Sequence, residues 1–371
     1  MTRCWFHIGM PKTGSSSIQE TLYYELRDPG FIYCGFGEIN SSFALSSFVG
    51  QATHIGAIRQ LGKGRLAGLY HQRMLGRFQR SLARARSGDA ALILSAELAY
   101  GWRRDQHLWW RQFASEHCLD LRIVVYLRPP IDWLASALSE GLKFGRQSTH
   151  AGLVEFYLHQ LPERHLDLCA RIDMLVDVYG KEAVVIRPFL RSALLEGCVV
   201  RDFCRVVGLG QAPATIHRQN DSLSLEASQC LHLRNIAMGR PLRGTLDLLR
   251  RDALLQQLGR IFPDRPSLRL EPGVLGDGVG RLERQLAALQ QRHGLALPLS
   301  TAASGGGLAS LDPLLTLPVD AQDRLAAAVA AGGGTPAEAL ARLERGRAAA
   351  PLLRSARRLL RRELRHARVG C

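Results

Sequence analysis

The segment Trp5-Phe6-His7-Ile8-Gly9-Met10-Pro11-Lys12-Thr13-Gly14-Ser15-Ser16-Ser17-Ile18 joins an apolar run ending at Gly9 to a tight loop and three consecutive serines. The run suits a buried strand. Ile18, Leu22 and Leu26 recur every four residues and so share one face of the helix that the serines open. Strand, glycine loop and helix N-terminus make an anion site in that order. N–H groups without intrahelical partners and the helix dipole both point at whatever occupies the loop. Serine hydroxyls add further donors, and the segment reads as a phosphate cradle. An ordinary Ser/Gly turn capping a helix would use the same residue types.

The loop departs from the ATP-type pattern Gly-x-x-x-x-Gly-Lys-Ser/Thr at one position. Gly9 and Gly14 have the right separation, but Ser15 stands where the lysine belongs and the cation sits earlier, at Lys12. In nucleotide triphosphatases that lysine reaches the β- and γ-phosphates. A lysine placed before the second glycine implies a different phosphate geometry.

A chain of 371 residues accommodates one large α/β domain plus an extension, or two domains, and buries a sizeable core without disulfides. Its hydrophobic content of 46% and charged content of 22% are ordinary for a globular protein. The net charge of +15 is not, and it points to anionic partners. The eight cysteines are scattered without a C-x-x-C pair, mostly in apolar stretches, as reduced core cysteines are. They indicate neither zinc nor a disulfide framework. No signal peptide is read at the N-terminus and no apolar run is long enough to span a membrane, so a cytoplasmic location is expected.

Along the chain, candidate strands are Phe31 to Cys34, Ala91 to Ser95, Leu121 to Leu127 and Ala183 to Ile186. Helices are expected over Asp105–His117, Ile131–Leu142, Leu153–Tyr179, Leu194–Val207, Ser222–Met238 (capped by Ser222 or Ser224) and Asp277–Arg292. Residues 41–86 read as helices joined by exposed loops. Alternating strands and helices predict an α/β fold, a P-loop-like parallel sheet with helices on both faces. The domain assignment is 1–297 for this fold and 298–371 for a linker and a helical, Ala/Arg/Leu-rich extension. The extension ends in a candidate helix, Leu352 to Arg368, with seven arginines and one glutamate. It could lie on an anionic surface or dock on its own domain.

Three places fall where strands of such a sheet end, and ligands bind beyond those ends. They are Lys12 to Ser17, then Ser95-Ala96-Glu97, then Arg128 with Ser136 eight residues on. Arg128 and Ser136 have the chemistry to clamp a phosphate, by a charge-assisted fork and a hydroxyl. His7 reads as a satisfied core histidine, and Glu97 could also be a carboxylate at a helix N-terminus. The polar loop Arg218 to Ser222 is left without a role.

Together these segments resemble the sulfotransferases that use 3′-phosphoadenosine-5′-phosphosulfate (PAPS), including bacterial members and the related Golgi carbohydrate sulfotransferases. Pro11-Lys12-Thr13-Gly14-Ser15-Ser16-Ser17 is similar to the family's 5′-phosphosulfate loop. Arg128 with Ser136 resembles its 3′-phosphate site, and Ile93-Leu94-Ser95-Ala96-Glu97 its strand end presenting the catalytic base. Arg281 to Leu297 looks like its closing helix and strand. The resemblance covers roughly residues 1–297.

It implies in-line transfer of a sulfuryl group to a hydroxyl acceptor. Lys12 would neutralise the leaving oxygen, Glu97 would act as general base, and Lys12, Thr13, Gly14, Ser15, Ser16 and Ser17 would hold the 5′ end. No metal is implied and no nucleic acid is expected as partner. The Glu-type base and the basic surface tilt the acceptor toward a carbohydrate. The rivals are a P-loop kinase with a deviant loop, which would need a Mg²⁺-holding carboxylate of Walker B type that appears clearly after neither strand, and a non-catalytic binder of an anionic polymer or membrane.

Overall fold

The computed structural model describes residues 1–49, 65–217, 223–240, 244–263, 265–302, 305–329, 336, 339–340 and 343. The chain divides into two compact units. The first comprises Met1–Pro130, His165–Asn220 and Gly280–Leu299, and the second Ile131–Arg164, Asp221–Val279 and Ser300–Cys371.

The first unit is built on five parallel strands. In chain order its elements are β1 (Thr2–His7), α1 (Ser15–Glu25), β2 (Phe31–Tyr33), α2 (Ser42–Phe48), α3 (Arg65–Ser87), β3 (Ala91–Ser95), α4 (Arg104–Glu116) and β4 (Leu119–Leu127). The strands pair in the order β2-β3-β1-β4-β5, where β5 is Val184–Pro188. Every pairing is parallel. β1 therefore lies at the centre, where the chain order reverses, and its loop opens at the carboxyl end of the sheet. The α/β class read from the sequence is the class observed.

Alternation along β1 assigns its side chains to two faces. Phe6 packs with Trp102 and Trp110, ring centroids 6.0 and 5.5 Å away. Trp110 belongs to α4, so this face is sealed by aromatic area. Removing such a ring would cost about 3–5 kcal/mol. On the opposite face Ile18 and Leu22 of α1 meet Ile93, Val124, Tyr126 and Phe203, with Trp5 packed against them. The four-residue spacing of the first helix thus has its burial.

Beyond β4, the second unit takes up α5 (Pro130–Phe144), α6 (His150–Val154) and α7 (Leu161–His165). The chain then returns to the first unit with α8 (Leu168–Tyr179), β5 and α9 (Val199–Val207). The second unit continues with α10 (Leu225–Met238) and α11 (Gly244–Ile261). Last come α12 (Gly278–His293), which lies in the first unit from Gly280 on, and α13 (Val319–Val329) in the second. Ser224 caps α10 by accepting from the Ala227 N–H at 3.1 Å, one of the two caps expected. No described helix is long and apolar enough to cross a membrane.

Several sequence expectations need correction. The helix expected from Leu194 begins only at Val199. Glu196 and Gly197 have φ of 52° and 64°, a left-handed step that no helix continues through. The helical region read over Leu153–Tyr179 passes through wide i→i+5 turns over Glu155–Gln160, runs on to His165, breaks, and restarts at Leu168. Asp167 caps that restart by accepting from the Ala170 N–H at 3.1 Å. The segment ending at Leu297 buries Leu295 and Leu297 but pairs with no strand. The basic helix expected over 352–368 and the loop 218–222 lie outside the described residues.

Candidate active site

The loop leaving β1 is shaped by two close approaches. A Cβ on Gly9 would stand 2.2 Å from Ser15 Oγ and 3.6 Å from the Cα of Glu97, so the cradle closes there only around a hydrogen. Gly14 caps α1 in the left-handed region at φ 77°, and a Cβ on it would meet Val199 Cγ1 at 2.7 Å. Between them Lys12 is itself left-handed, at φ 68°. That conformation costs a residue with a Cβ about 1–2 kcal/mol. The strain falls on the one cationic residue of the loop, and left-handed residues of this kind cluster at ligand-binding turns.

No side chain caps α1, and its first turn carries no acidic residue. The first intrahelical bond runs from the Ile18 N–H to the Gly14 carbonyl at 3.2 Å. The N–H groups of the turn before it leave the helix end with their positive dipole. Ser15 Oγ is buried against Gly9 and has no hydrogen-bond partner among the described residues. A hydroxyl so placed is costly unless a ligand oxygen or water satisfies it. The Thr13 hydroxyl, in contrast, is used within the loop, donating to the Met10 carbonyl at 2.6 Å. Ser16 and Ser17 are half-buried at the helix end.

The other predicted residues of this unit lie near the loop. Arg128, the first residue after β4, donates from Nη1 to the Lys12 carbonyl at 2.9 Å. Its guanidinium carbon lies 5.7 Å from the centroid of the Phe189 ring, in cation–π range. Phe189 follows β5, and its ring edge is 3.4 Å from where a Gly14 Cβ would be. One aromatic ring thus lies beside both the loop and the arginine. Glu97, half-buried, opens a single 3₁₀ turn, Glu97–Gly101, directly after β3. Ser42 Oγ steadies that turn by accepting from the Leu98 N–H at 3.1 Å. Ser136 is half-buried in the second turn of α5, in the second unit.

Sequence reasoning passed over Phe189, whose position after β5 only the register of β4 and β5 reveals. It also misread His7 in part. His7 is fully buried, and its Nδ1 lies 2.8 Å from Ser95 Oγ. Its Nε2 has no hydrogen-bond partner among the described residues, because the ring is wedged against Phe203 and Tyr126 at 5.3 and 6.0 Å. Burial lowers its pKa to about 3, so the ring is neutral at physiological pH.

Asp202 anchors the loop's far wall. Fully buried on α9, it accepts from Arg187 at 2.8 and 3.1 Å, Arg205 at 2.8 Å, the Tyr126 hydroxyl at 2.9 Å and the Leu195 N–H at 3.2 Å. Burial alone would raise its pKa, but these donors outweigh it and hold the carboxylate ionised. Elsewhere in the unit, Cys169, Asp173 and His293 bring one donor atom each within 4.8 Å of one another. The carboxylate there is already engaged by Arg292 at 2.6 Å and His293 at 2.7 Å, an ion-paired contact between α8 and α12.

Comparison with known proteins adds little. No family model matches the chain, and no curated protein is similar to it. Among solved structures, the chain is similar to a sulfotransferase from Alicyclobacillus acidocaldarius with a TM-score of 0.39 and 17% sequence identity, over 63% of this chain and 91% of that one. A likeness of that size carries no argument about activity.

Proposed function

We propose that the chain is a sulfotransferase that takes a sulfuryl group from PAPS and passes it to a hydroxyl acceptor of carbohydrate type. The observation that carries the reading is the loop from Gly9 to Ser15. It presents a helix end whose N-cap is a glycine with no side chain to cap it, a buried hydroxyl without a partner among the described residues and a strained lysine around a turn closed by glycine. Those donors fit a terminal phosphate-like group. With lysine at 12 and not at 15, the cation stands on the β1 side of the second glycine, away from its place in a triphosphate loop.

When bound, the donor would supply an activated sulfuryl group on a 5′-phosphate. Lys12 would neutralise negative charge developing on the bridging oxygen. The helix N-terminus with Ser15, Ser16 and Ser17 would hold the phosphate, and Glu97 would accept the proton of the acceptor hydroxyl. Arg128 and Ser136 are assigned to the 3′-phosphate, the feature that separates this donor from ATP. The Glu-type base and the net charge of +15 support a carbohydrate acceptor, one that could already be acidic. Residues 1–297 would carry the activity and 298–371 would be an extension.

Titration calorimetry with adenosine 3′,5′-bisphosphate, set beside ATP with Mg²⁺, tests the reading. Preference for the bisphosphate is expected, and preference for ATP with Mg²⁺ would overturn it in favour of a kinase. Removal of the arginine-rich segment Leu352 to Arg368 should leave bisphosphate binding intact; its loss would favour a binder that works through that segment.

A further inference from the structure

Three buried polar side chains with no part in that chemistry meet at one oxygen. Ser95 Oγ lies 2.8 Å from His7 Nδ1 and accepts from Gln19 Nε2 at 3.1 Å. His7 and Ser95 are 0% exposed and Gln19 2%. Each comes from a segment that carries a different part of the proposed machinery. His7 ends β1, two residues before Gly9. Gln19 lies on α1, one turn after Ser15. Ser95 ends β3, two residues before Glu97.

The backbone reinforces the same junction. The Ala96 N–H donates to the His7 carbonyl at 3.0 Å, and the Ser41 N–H to the Ser95 carbonyl at 3.1 Å. The Gln19 amide also reaches that carbonyl, at 3.4 Å. A buried polar network is no more stable than an apolar core of the same shape, and here it leaves His7 Nε2 unpaired among the described residues, but its directional bonds allow one arrangement where apolar contacts tolerate several. Ile18, Leu22 and Phe203 already supply apolar packing on this face.

We propose that the Ser95 hydroxyl, held by His7 and Gln19, is a positioning hub that fixes Glu97 against the Gly9–Ser17 loop. The hub touches no reacting atom and acts through Glu97, so the inference rests on the sulfotransferase reading. Loss of the hydroxyl should let the turn at Glu97 shift relative to the loop while leaving the loop's own donors in place.

The experiment compares Ser95→Ala and His7→Leu with the conservative Ser95→Thr and His7→Asn. Steady-state kinetics, bisphosphate calorimetry and thermal melting are read for each. Ser95→Ala and His7→Leu are expected to lower kcat about 10- to 100-fold with the donor KM and the bisphosphate Kd within about twofold, and the conservative pair to regain part of it. In a Glu97→Gln background, Ser95→Ala should add no further loss.

An unchanged kcat in Ser95→Ala, or the same loss with and without the Glu97 carboxylate, would overturn the hub. If Ser95→Ala does not fold, Gln19→Met removes one arm with little change of shape, and its unchanged kcat would overturn the hub equally. Full activity in Glu97→Gln would overturn the base itself, and the hub with it. Loss there beside an unaffected Ser95→Ala removes the hub alone.

Discussion

Arg128 Nη1 donates to the carbonyl oxygen of Lys12 at 2.9 Å, tying the end of β4 to the loop of β1 across 116 residues of sequence. The bond holds the backbone of the residue that is strained at φ 68°. One residue therefore both supports the loop and, in the proposed function, contacts the donor. A hydrogen bond from a charged group is worth about 1.5–3 kcal/mol, so Arg128→Ala should weaken bisphosphate binding about 10- to 100-fold. Arg128→Lys keeps the charge but not the planar fork and should recover only part of it. Calorimetry on both variants is the check, and an unchanged Kd in Arg128→Ala would remove the residue from the site.

Gly9 gives a sharper test of the cradle. Its added Cβ would sit 2.2 Å from Ser15 Oγ, so Gly9→Ala must push that hydroxyl or the loop aside. Bisphosphate affinity should fall at least about 10-fold, while melting temperature moves little because the displaced group is a single hydroxyl. Ser15→Ala in the double variant removes the 2.2 Å clash together with the hydroxyl, so affinity should stay low. Affinity intact in Gly9→Ala would show that the ligand does not use this turn.

The strand–loop–helix junction at Gly9 to Ser15 was legible in the sequence because it is local: strand, glycines, lysine and serines follow one another within fourteen residues. β3 matches its apolar run end to end, and β4 starts two residues earlier than its run because Leu119 and Asp120 pair with Thr2 and Arg3. What sequence could not supply was long-range. The apolar spacing after Leu194 is compatible with a helix. There the chain instead turns left-handed at Glu196, and the Leu195 N–H reaches the Asp202 carboxylate. The Ser95 junction is equally hidden, since His7, Gln19 and Ser95 are unremarkable in their own segments and meaningful only once β1 and β3 are paired.

Asp202 predicts a stability effect separable from activity. It takes five hydrogen bonds from four partners while fully buried, and removing its charge leaves Arg187 and Arg205 facing an amide. Asp202→Asn should destabilise the first unit by about 3 kcal/mol, measured by urea unfolding. A change below about 0.5 kcal/mol would mean the network is replaceable by water, as exposed pairs are.

Buried histidines predict an acid limb that begins above the carboxylate range. Burial lowers His7 and His107 to about 3 and His232 to about 4, from an ordinary 6.5. Below pH 6.5 the unfolded chain binds protons at these rings that the folded chain does not, so unfolding free energy must fall as pH falls. Each ring contributes a slope of about 1.4 kcal/mol per pH unit until its folded pKa is reached. The stability of Asp202 runs out later, as pH drops below 3.8 through its depressed value. Urea unfolding at pH 7.5, 6.5, 5.5 and 4.5 should therefore show a steepening loss, made shallower in His7→Asn by the removal of one titrating ring. A flat profile between pH 6.5 and 4.5 would mean that these rings take up protons in the folded state, and the neutral His7 that faces Ser95 would go with it.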